Sequence, residues 1–204
     1  MSCSSFRGLS ALAALLCAAA VSAAPADTTI VILRHGEKPP AGLGQLDCRG
    51  LNRALALPSV LLGAYGTPTA LYAPDPSVLK RDKGVPYAYI RPLATIEPLA
   101  VRVGLPVQLG WAMEQVEPLA THLLAQPPGT YVVAWEHHLA ARLARALVAG
   151  AGGDAAQVPG WADDDFDSLY EVRLQHEAGR ATGVQFRIGH EGLNGLPATC
   201  PNGR

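Results

Sequence analysis

The strongest constraint on the fold is a short apolar segment near the start of the chain. Residues 28–33, TTIVIL, show no alternation of polar and apolar side chains, which is typical of a strand buried on both faces of a sheet. Arg34, His35 and Gly36 follow it at once. Because two basic side chains end a buried strand, we expect them at a sheet edge where a ligand binds.

A second apolar run and several helical segments predict an α/β architecture. GTYVVAWEHH, residues 129–138, is another buried strand that ends on histidine, and PTALY predicts a shorter one. This alternation predicts a single domain over residues 25–204, a three-layer α/β/α sandwich with a mostly parallel central sheet. Helices are expected over residues 51–62 with a break at Pro58, from Pro92 to Gly104, over residues 111–126 and over residues 138–150.

The carboxyl-terminal part of the chain has a different pattern. DSLYEVRLQHEAGRATGVQFRIG contains two strand-like runs around a polar turn with Gly179 and Gly183. We interpret it as a C-terminal antiparallel hairpin at the edge of the sheet.

Residues 1–24 have the features of a secretory signal peptide. Arg7 precedes an apolar stretch from Leu9 to Val21, and small residues up to Ala24 offer a cleavage site. The stretch is short for a membrane span, although an uncleaved anchor is the alternative. Cleavage predicts a periplasmic or secreted protein that no longer contacts the membrane.

The cysteines divide between this segment and the mature domain. Cys3 and Cys17 leave with the signal peptide, so only Cys48 and Cys200 remain. In an oxidising compartment the two are expected to form a disulfide that closes a long loop. Two free thiols are the alternative.

Basic residues are sparse, but four of them are predicted to converge. The chain has 16 Lys and Arg against 17 Asp and Glu, for a net charge of −1, which does not favour a nucleic-acid partner. Arg34, His35 and His137 follow the two buried strands, and Arg91 begins a predicted helix. Two arginines and two histidines at one sheet edge make an anion pocket suited to phosphate oxygens.

Four segments, in order, resemble the histidine phosphatase superfamily, the phosphoglycerate mutase-like proteins. They are LRHGEK, GLNRAL, IRPLATIEPLA and VVAWEHHLAARLARAL, and the resemblance covers most of the mature chain. It implies that His35 is the nucleophile that forms a phosphohistidine, and that Arg34, Arg91 and His137 complete the phosphate pocket. It also implies a small phosphorylated substrate and no requirement for a metal or other cofactor.

The proton donor departs from the family pattern. Many members of the superfamily carry a carboxylate in an insertion or immediately after the second histidine, where this chain has His138. Glu114 is the best-placed substitute. The alternative is that Glu114 is a solvated helix residue without a catalytic role. If the strand geometry persists, Glu136 alternates away from the pocket. His138 is expected at the rim of the pocket or in a structural role, and no large lid is expected.

Two further groups of residues have simpler interpretations. The acidic run Asp163, Asp164, Asp165 and Asp167 lacks the spacing of a calcium loop and is interpreted as a solvated turn. The tryptophans are expected in the core or the pocket wall: Trp111, Trp135 and Trp161.

The sequence leaves two functions open. One is an exported phosphatase that hydrolyses phosphate monoesters, favoured by the intact RHG triplet and the second histidine. The other is a catalytically weak protein that binds phosphoryl ligands in the same pocket, favoured by the missing proton donor. A mutase is less well supported, because the chain is short for an enclosing lid.

Overall fold

The structure is a computed structural model that describes residues 27–177 and 180–202. The predicted signal peptide, residues 1–24, lies outside the described residues. Within the described ranges, no helix is long and apolar enough to cross a membrane.

A six-stranded sheet forms the centre of the domain, in the order β5-β2-β6-β1-β7-β8. The first four strands in this order pair in parallel, and β7 and β8 add antiparallel pairs at one edge. The mostly parallel sheet and the C-terminal antiparallel hairpin were both predicted from the sequence and are confirmed. The strands are β1 (Thr28–Arg34), β2 (Ala70–Tyr72), β5 (Val107–Gln108), β6 (Gly129–Trp135), β7 (Ser168–Glu177) and β8 (Arg180–His190).

Helices cover both faces of this sheet and complete the predicted three layers. They are α1 (Cys48–Tyr65), α2 (Arg91–Val103), α3 (Val116–Leu124) and α4 (His137–Gly150). On β1, Ile30 and Ile32 belong to the cluster that includes α3 and α4, whereas Val31 and Leu33 belong to the cluster that includes α1 and α2. Alternate side chains of one strand thus fill two apolar cores, which explains why β1 is apolar at successive positions.

Two predicted helix boundaries are wrong. Pro58 does not break α1, which is continuous from Cys48 to Tyr65. Leu57 and Leu61, which flank the proline in sequence, are buried in the apolar core, and this burial outweighs the roughly 3 kcal/mol that an internal proline costs. Likewise α3 begins at Val116, because the preceding residues form a turn in which the Gln115 side chain accepts the Ala112 N–H.

A small second sheet between β2 and α2 was not predicted. Strands β3 (Leu79–Asp82) and β4 (Val85–Ala88) form an antiparallel hairpin. Its two-residue turn has positive φ at both Lys83 (47°) and Gly84 (86°), as tight hairpin turns require. The glycine after a polar residue was therefore a local signal for this hairpin.

The C-terminal segment is fastened to the start of α1. Cys48 and Cys200 form the predicted disulfide, with their Cα atoms 4.4 Å apart. The Asn52 side-chain amide donates to the carbonyls of Pro197 and Thr199. The end of the chain is therefore held against the helix that follows the RHG segment.

A fully buried arginine joins the same two regions. Arg53 donates two hydrogen bonds to Glu37, at 3.0 and 2.8 Å, and one to Glu191. Asp167 is 3.6 Å away, and burial raises the pKa of Glu191 to about 7. One cation thus neutralises carboxylates from the RHG segment, the segment before β7 and the segment after β8.

Replacing Arg53 with alanine is expected to destabilise the fold by about 3–5 kcal/mol, because it leaves buried carboxylates without their cation. Urea unfolding of the oxidised protein measures this loss. Arg142→Ala is the matched control, since Arg142 pairs with Glu117 on the exposed surface and should leave the midpoint nearly unchanged. Equal midpoints for the two variants would contradict a stabilising role of the buried cluster.

Candidate functional site

His35 lies immediately beyond β1, at the carboxyl edge of the parallel strands. Its backbone N–H donates to the carbonyl of Trp135 at 3.0 Å, which places it beside the end of β6. The ring Nδ1 is 2.7 Å from the carbonyl of Gly36. Because a carbonyl only accepts, Nδ1 carries the proton and Nε2 has a free lone pair.

The surroundings of His35 favour the neutral imidazole. The side chain is 2% exposed, and burial lowers its pKa well below the ordinary value. The positive charges of Arg91, Arg34 and Lys38 lower the pKa further, against the opposing effect of the Gly36 carbonyl. His35 therefore has the protonation state that a nitrogen nucleophile requires at neutral pH.

Two glycines allow the segment after His35 to pack against α1. A Cβ atom on Gly36 would lie 2.9 Å from the carbonyl oxygen of Gly50, and one on Gly50 would collide with the Glu37 backbone. The Gly36 N–H also donates to Thr95 Oγ1 on α2 at 2.9 Å. This close backbone approach fixes the carbonyl that orients His35.

Arg34 is anchored by one of its terminal nitrogens. Its Nη1 donates to the carbonyls of Ala162, Asp163 and Asp165, at 3.4, 2.7 and 2.8 Å. The guanidinium also stacks on Phe166, with Cζ 3.7 Å from the ring centroid. These contacts hold the rest of the guanidinium in place beside His35.

Arg91 is held by the unpredicted hairpin. Asp82 on β3 accepts from both of its terminal nitrogens, at 2.6 and 3.3 Å, and the Gly42 carbonyl accepts from Nη1 at 3.2 Å. The arginine is fully buried. Arg91 thus lies among the groups that influence His35, as predicted, but with an ion-pair partner that the sequence did not indicate.

His137 is the first residue of α4 and lies between two carboxylates. Its Nδ1 is 2.8 Å from Glu136 Oε1, and its Nε2 is 2.8 Å from Asp163 Oδ1. The strand geometry that would turn Glu136 away from the pocket does not persist, because β6 ends at Trp135 and Glu136 is the N-cap of α4. Its Oε2 accepts the Leu139 N–H at 3.0 Å, and these contacts lower the pKa of Glu136 to about 2 despite burial.

Several buried polar atoms of this site have no hydrogen-bond partner among the described residues. They include three donors: the Nε atoms of Arg34 and Arg91 and the hydroxyl of Tyr89. Unpaired buried polar groups are rare and call for an explanation. Three unpaired donors at one edge of the sheet are suited to a ligand rich in acceptor oxygens.

Two residues of the unpredicted hairpin region extend the site. Tyr89 contacts His35 edge to face, with ring centroids 6.0 Å apart. Lys80 lies over the Tyr89 ring, with Nζ 5.0 Å from its centroid, and burial lowers the pKa of this lysine. The Lys83–Gly84 turn was the local signal for the element that carries Lys80.

The acidic run is only in part the solvated turn that was predicted. Asp163 and Asp164 are exposed and Asp167 is buried. Asp163 Oδ1 lies 2.8 Å from His137 Nε2 and 3.2 Å from His138 Nε2. The contact joins residues 26 positions apart, so no local pattern indicated it.

Glu114 is not brought to the histidines. It is exposed and lines a cavity of about 350 Å³ with residues 78–81, Ala112 and Met113. Within the described part of the chain it makes no hydrogen bond or ion pair with His35 or His137. Its predicted catalytic role stays a prediction.

The three tryptophans and His138 are the remaining residues with a predicted location. Trp135 and Trp161 are buried in the core and Trp111 packs against it, as predicted. The side chain of His138 is 66% exposed, which agrees with a place at the rim.

One group at the site has the composition of a cation site. Ligand atoms of Glu136, His137 and His138 lie within 4.8 Å of one another. Histidine nitrogens and a carboxylate suit transition-metal ions, but these atoms also form the ion pairs described above. The prediction that no metal is required stays a prediction.

Comparison with solved structures identifies the class of the fold. No protein-family model matches the sequence, and no curated protein does. The structure is similar to that of the protein histidine phosphatase SixA in complex with tungstate, with a TM-score of 0.56, 15% identity, and coverage of 80% of this chain and 97% of that one.

Two further structures have the same architecture. The structure of a mycobacterial hydrolase aligns with a TM-score of 0.52 and 16% identity, and the alignment covers 79% of this chain and 89% of that one. Phosphoglycerate mutase from Plasmodium falciparum has a TM-score of 0.50 and 14% identity, with coverage of 84% and 94%. The chain therefore has the fold of the histidine phosphatase superfamily, as its motifs predicted.

Proposed function

We propose that the protein is a phosphatase that hydrolyses small phosphate monoesters through a phosphohistidine on His35. The observation that carries the proposal is the set of unpaired buried donors of Arg34, Arg91 and Tyr89 around a neutral, oriented histidine. A phosphoryl group offers acceptor oxygens for all three donors. The fold it shares with SixA and phosphoglycerate mutase agrees with this chemistry.

The reaction has two steps. His35 Nε2 attacks phosphorus, a P–N bond forms, and the bond to the ester oxygen breaks. Arg34, Arg91 and His137 neutralise the charge on the equatorial oxygens. Water then attacks phosphorus, the P–N bond breaks, and its electron pair returns to Nε2 of His35. The water gives up one proton as inorganic phosphate forms, and the alkoxide released in the first step takes up one proton to become the alcohol.

Glu136 has a positioning role in this proposal. Its carboxylate contacts Nδ1 of His137 and caps α4, so it fixes the ring through Nδ1 and leaves Nε2 for contacts on the other side of the ring. His137 is thereby kept ready to bind a phosphate oxygen through Nε2.

We further propose that the protein is exported. The signal-like segment, residues 1–24, supports this proposal, as does the disulfide of Cys48 and Cys200, since disulfides persist in oxidising compartments. Size-based detection of a shortened chain in a periplasmic or extracellular fraction tests it. A full-length chain confined to the cytoplasm would contradict it.

The phosphate pocket is tested by Arg91→Lys. Lysine retains a charge for Asp82 but lacks the planar fork of arginine, so we expect inhibition by inorganic phosphate or vanadate to weaken about 10–100-fold. The assay is hydrolysis of p-nitrophenyl phosphate by the signal-free, oxidised protein. Arg81→Lys on the same hairpin is the control, because Arg81 is exposed and donates to Gly84.

The outcome also separates the two functions considered from the sequence. Turnover with phosphate inhibition weakened only in Arg91→Lys supports the phosphatase. Phosphate binding to a wild-type protein without turnover would instead favour the binding protein. Equal inhibition constants for all three proteins would place the phosphate elsewhere.

A further inference from the structure

The proposed reaction needs an acid when the leaving group is an alkoxide. Protonation of the departing oxygen contributes roughly 10²–10⁴ in rate. Among the described residues, two carboxylates contact His137: Glu136 and Asp163. These two carboxylates are therefore the candidate proton donors in contact with His137.

Glu136 is unsuited to donate a proton. One oxygen accepts the Leu139 N–H and the other contacts His137. These bonds, and the charges of His137 and Lys80, lower its pKa to about 2. Glu136 is therefore ionised at neutral pH and hydrogen-bonded to the amino terminus of α4.

The Asp163 carboxylate contacts His137 and His138 but, among the described residues, accepts no backbone N–H. Its side chain is 84% exposed, and its Oδ1 lies 2.8 Å from His137 Nε2, the atom proposed to bind a phosphate oxygen. An exposed carboxylate can be reprotonated by water after each turnover. A phosphate oxygen bound by His137 Nε2 would therefore lie close to the Asp163 carboxyl group.

The backbone around Asp163 is fixed by the phosphate-binding arginine itself. Arg34 Nη1 donates to the carbonyls of Ala162, Asp163 and Asp165. Asp165 in turn accepts the N–H groups of Asp167 and Ser168, at 2.9 and 3.0 Å. The segment is thus preorganised beside the phosphate while the Asp163 side chain stays accessible to substrate.

On this geometry, and on the proposed function, we propose that Asp163 is the catalytic residue that protonates the leaving group. As His35 Nε2 bonds to phosphorus, the P–O ester bond breaks and the proton of the Asp163 carboxyl group moves to the departing oxygen. In the second step the carboxylate accepts a proton from the attacking water. The carboxyl group is then restored, and the balance of the cycle is ester plus water to alcohol plus phosphate.

Substrate binding supplies the required protonation state. In the free protein, the hydrogen bond from His137 lowers the pKa of Asp163. A bound phosphate takes the His137 N–H and places negative charge beside the carboxylate. Both effects raise the pKa of Asp163, so a proton is held there while substrate is bound.

The test compares Asp163→Asn with Asp164→Asn on two substrates, p-nitrophenyl phosphate and a simple alkyl phosphate. The comparison uses kcat/KM, which reports only the steps up to P–O cleavage. The activated ester needs no acid in those steps, so Asp163→Asn should change its kcat/KM by less than about threefold, whereas kcat/KM for the alkyl ester should fall roughly 10²–10⁴-fold. Asp164 is exposed beside it, and its variant should match wild type on both. The slope of log kcat/KM against the pKa of the leaving alcohol should be steeper in Asp163→Asn than in the wild type, and unchanged in Asp164→Asn.

Other outcomes overturn the inference in distinguishable ways. Equal losses on both substrates would show that Asp163 supports the fold or phosphate binding instead of donating a proton. Wild-type turnover of the alkyl ester by Asp163→Asn would assign the donor to another group. Absence of His35-dependent turnover in the wild-type protein would overturn the proposed function, and this inference with it.

Discussion

His35→Ala is expected to lose phosphatase turnover by about 10⁴-fold or more while the protein stays folded. The nucleophile contributes this much where it forms the covalent intermediate. The fold should persist because the ring lies beyond the end of β1 and its side-chain hydrogen bond is to the adjacent Gly36 carbonyl. Steady-state hydrolysis of p-nitrophenyl phosphate and thermal unfolding measure the two properties.

A histidine at the surface provides the control for this substitution. The side chain of His190 is 68% exposed, and the described contact it makes is a 3.9 Å approach to Asp167. His190→Ala should therefore keep wild-type turnover. Unchanged turnover in His35→Ala would remove His35 from the mechanism, and loss of turnover together with unfolding would call for His35→Gln, which retains a polar side chain at the site.

Removing the disulfide is expected to have the largest effect on stability. Cys48 and Cys200 are 152 positions apart, and the chain-entropy model assigns about 5 kcal/mol to a crosslink that closes so long a loop. At roughly 2–4 °C per kcal/mol for a protein of this size, the double Cys→Ser variant should unfold some 10–20 °C below the oxidised protein.

The control for this prediction uses a reductant. Reduction should lower the unfolding midpoint of the wild-type protein towards that of the Cys48→Ser/Cys200→Ser variant and leave the variant unchanged. Identical midpoints for oxidised and reduced wild type would show that the crosslink does not limit stability. In that case the contacts of Asn52 and Arg53 with the C-terminal segment would suffice to hold it.

The parts of the site that follow buried strands could be predicted from the sequence. Arg34 ends β1, His35 follows it, and His137 lies two residues beyond the end of β6, so the register of parallel strands decides where they lie. Arg34 and Trp135 are register partners, and the residues that follow them are therefore neighbours. Local pattern and sheet topology together were sufficient for this part of the pocket.

The parts that depend on distant contacts could not be predicted in this way. Asp82 holds Arg91 from a hairpin, and Asp163 reaches His137 from an acidic turn. Acidic residues are common in turns and hairpins, and nothing in the sequence around Asp82 or Asp163 indicates these partners. Glu136 shows a different limit, because strand alternation predicts a side chain's direction only as far as the strand extends.

The most direct test of the central claim is to trap the phosphoenzyme. Wild-type protein is mixed with a radiolabelled phosphate monoester and quenched in alkali, which preserves the P–N bond that acid would cleave. The account predicts acid-labile label on the peptide that contains His35, and none on the His35→Ala variant. Label on a different residue, or wild-type turnover by His35→Ala, would contradict it.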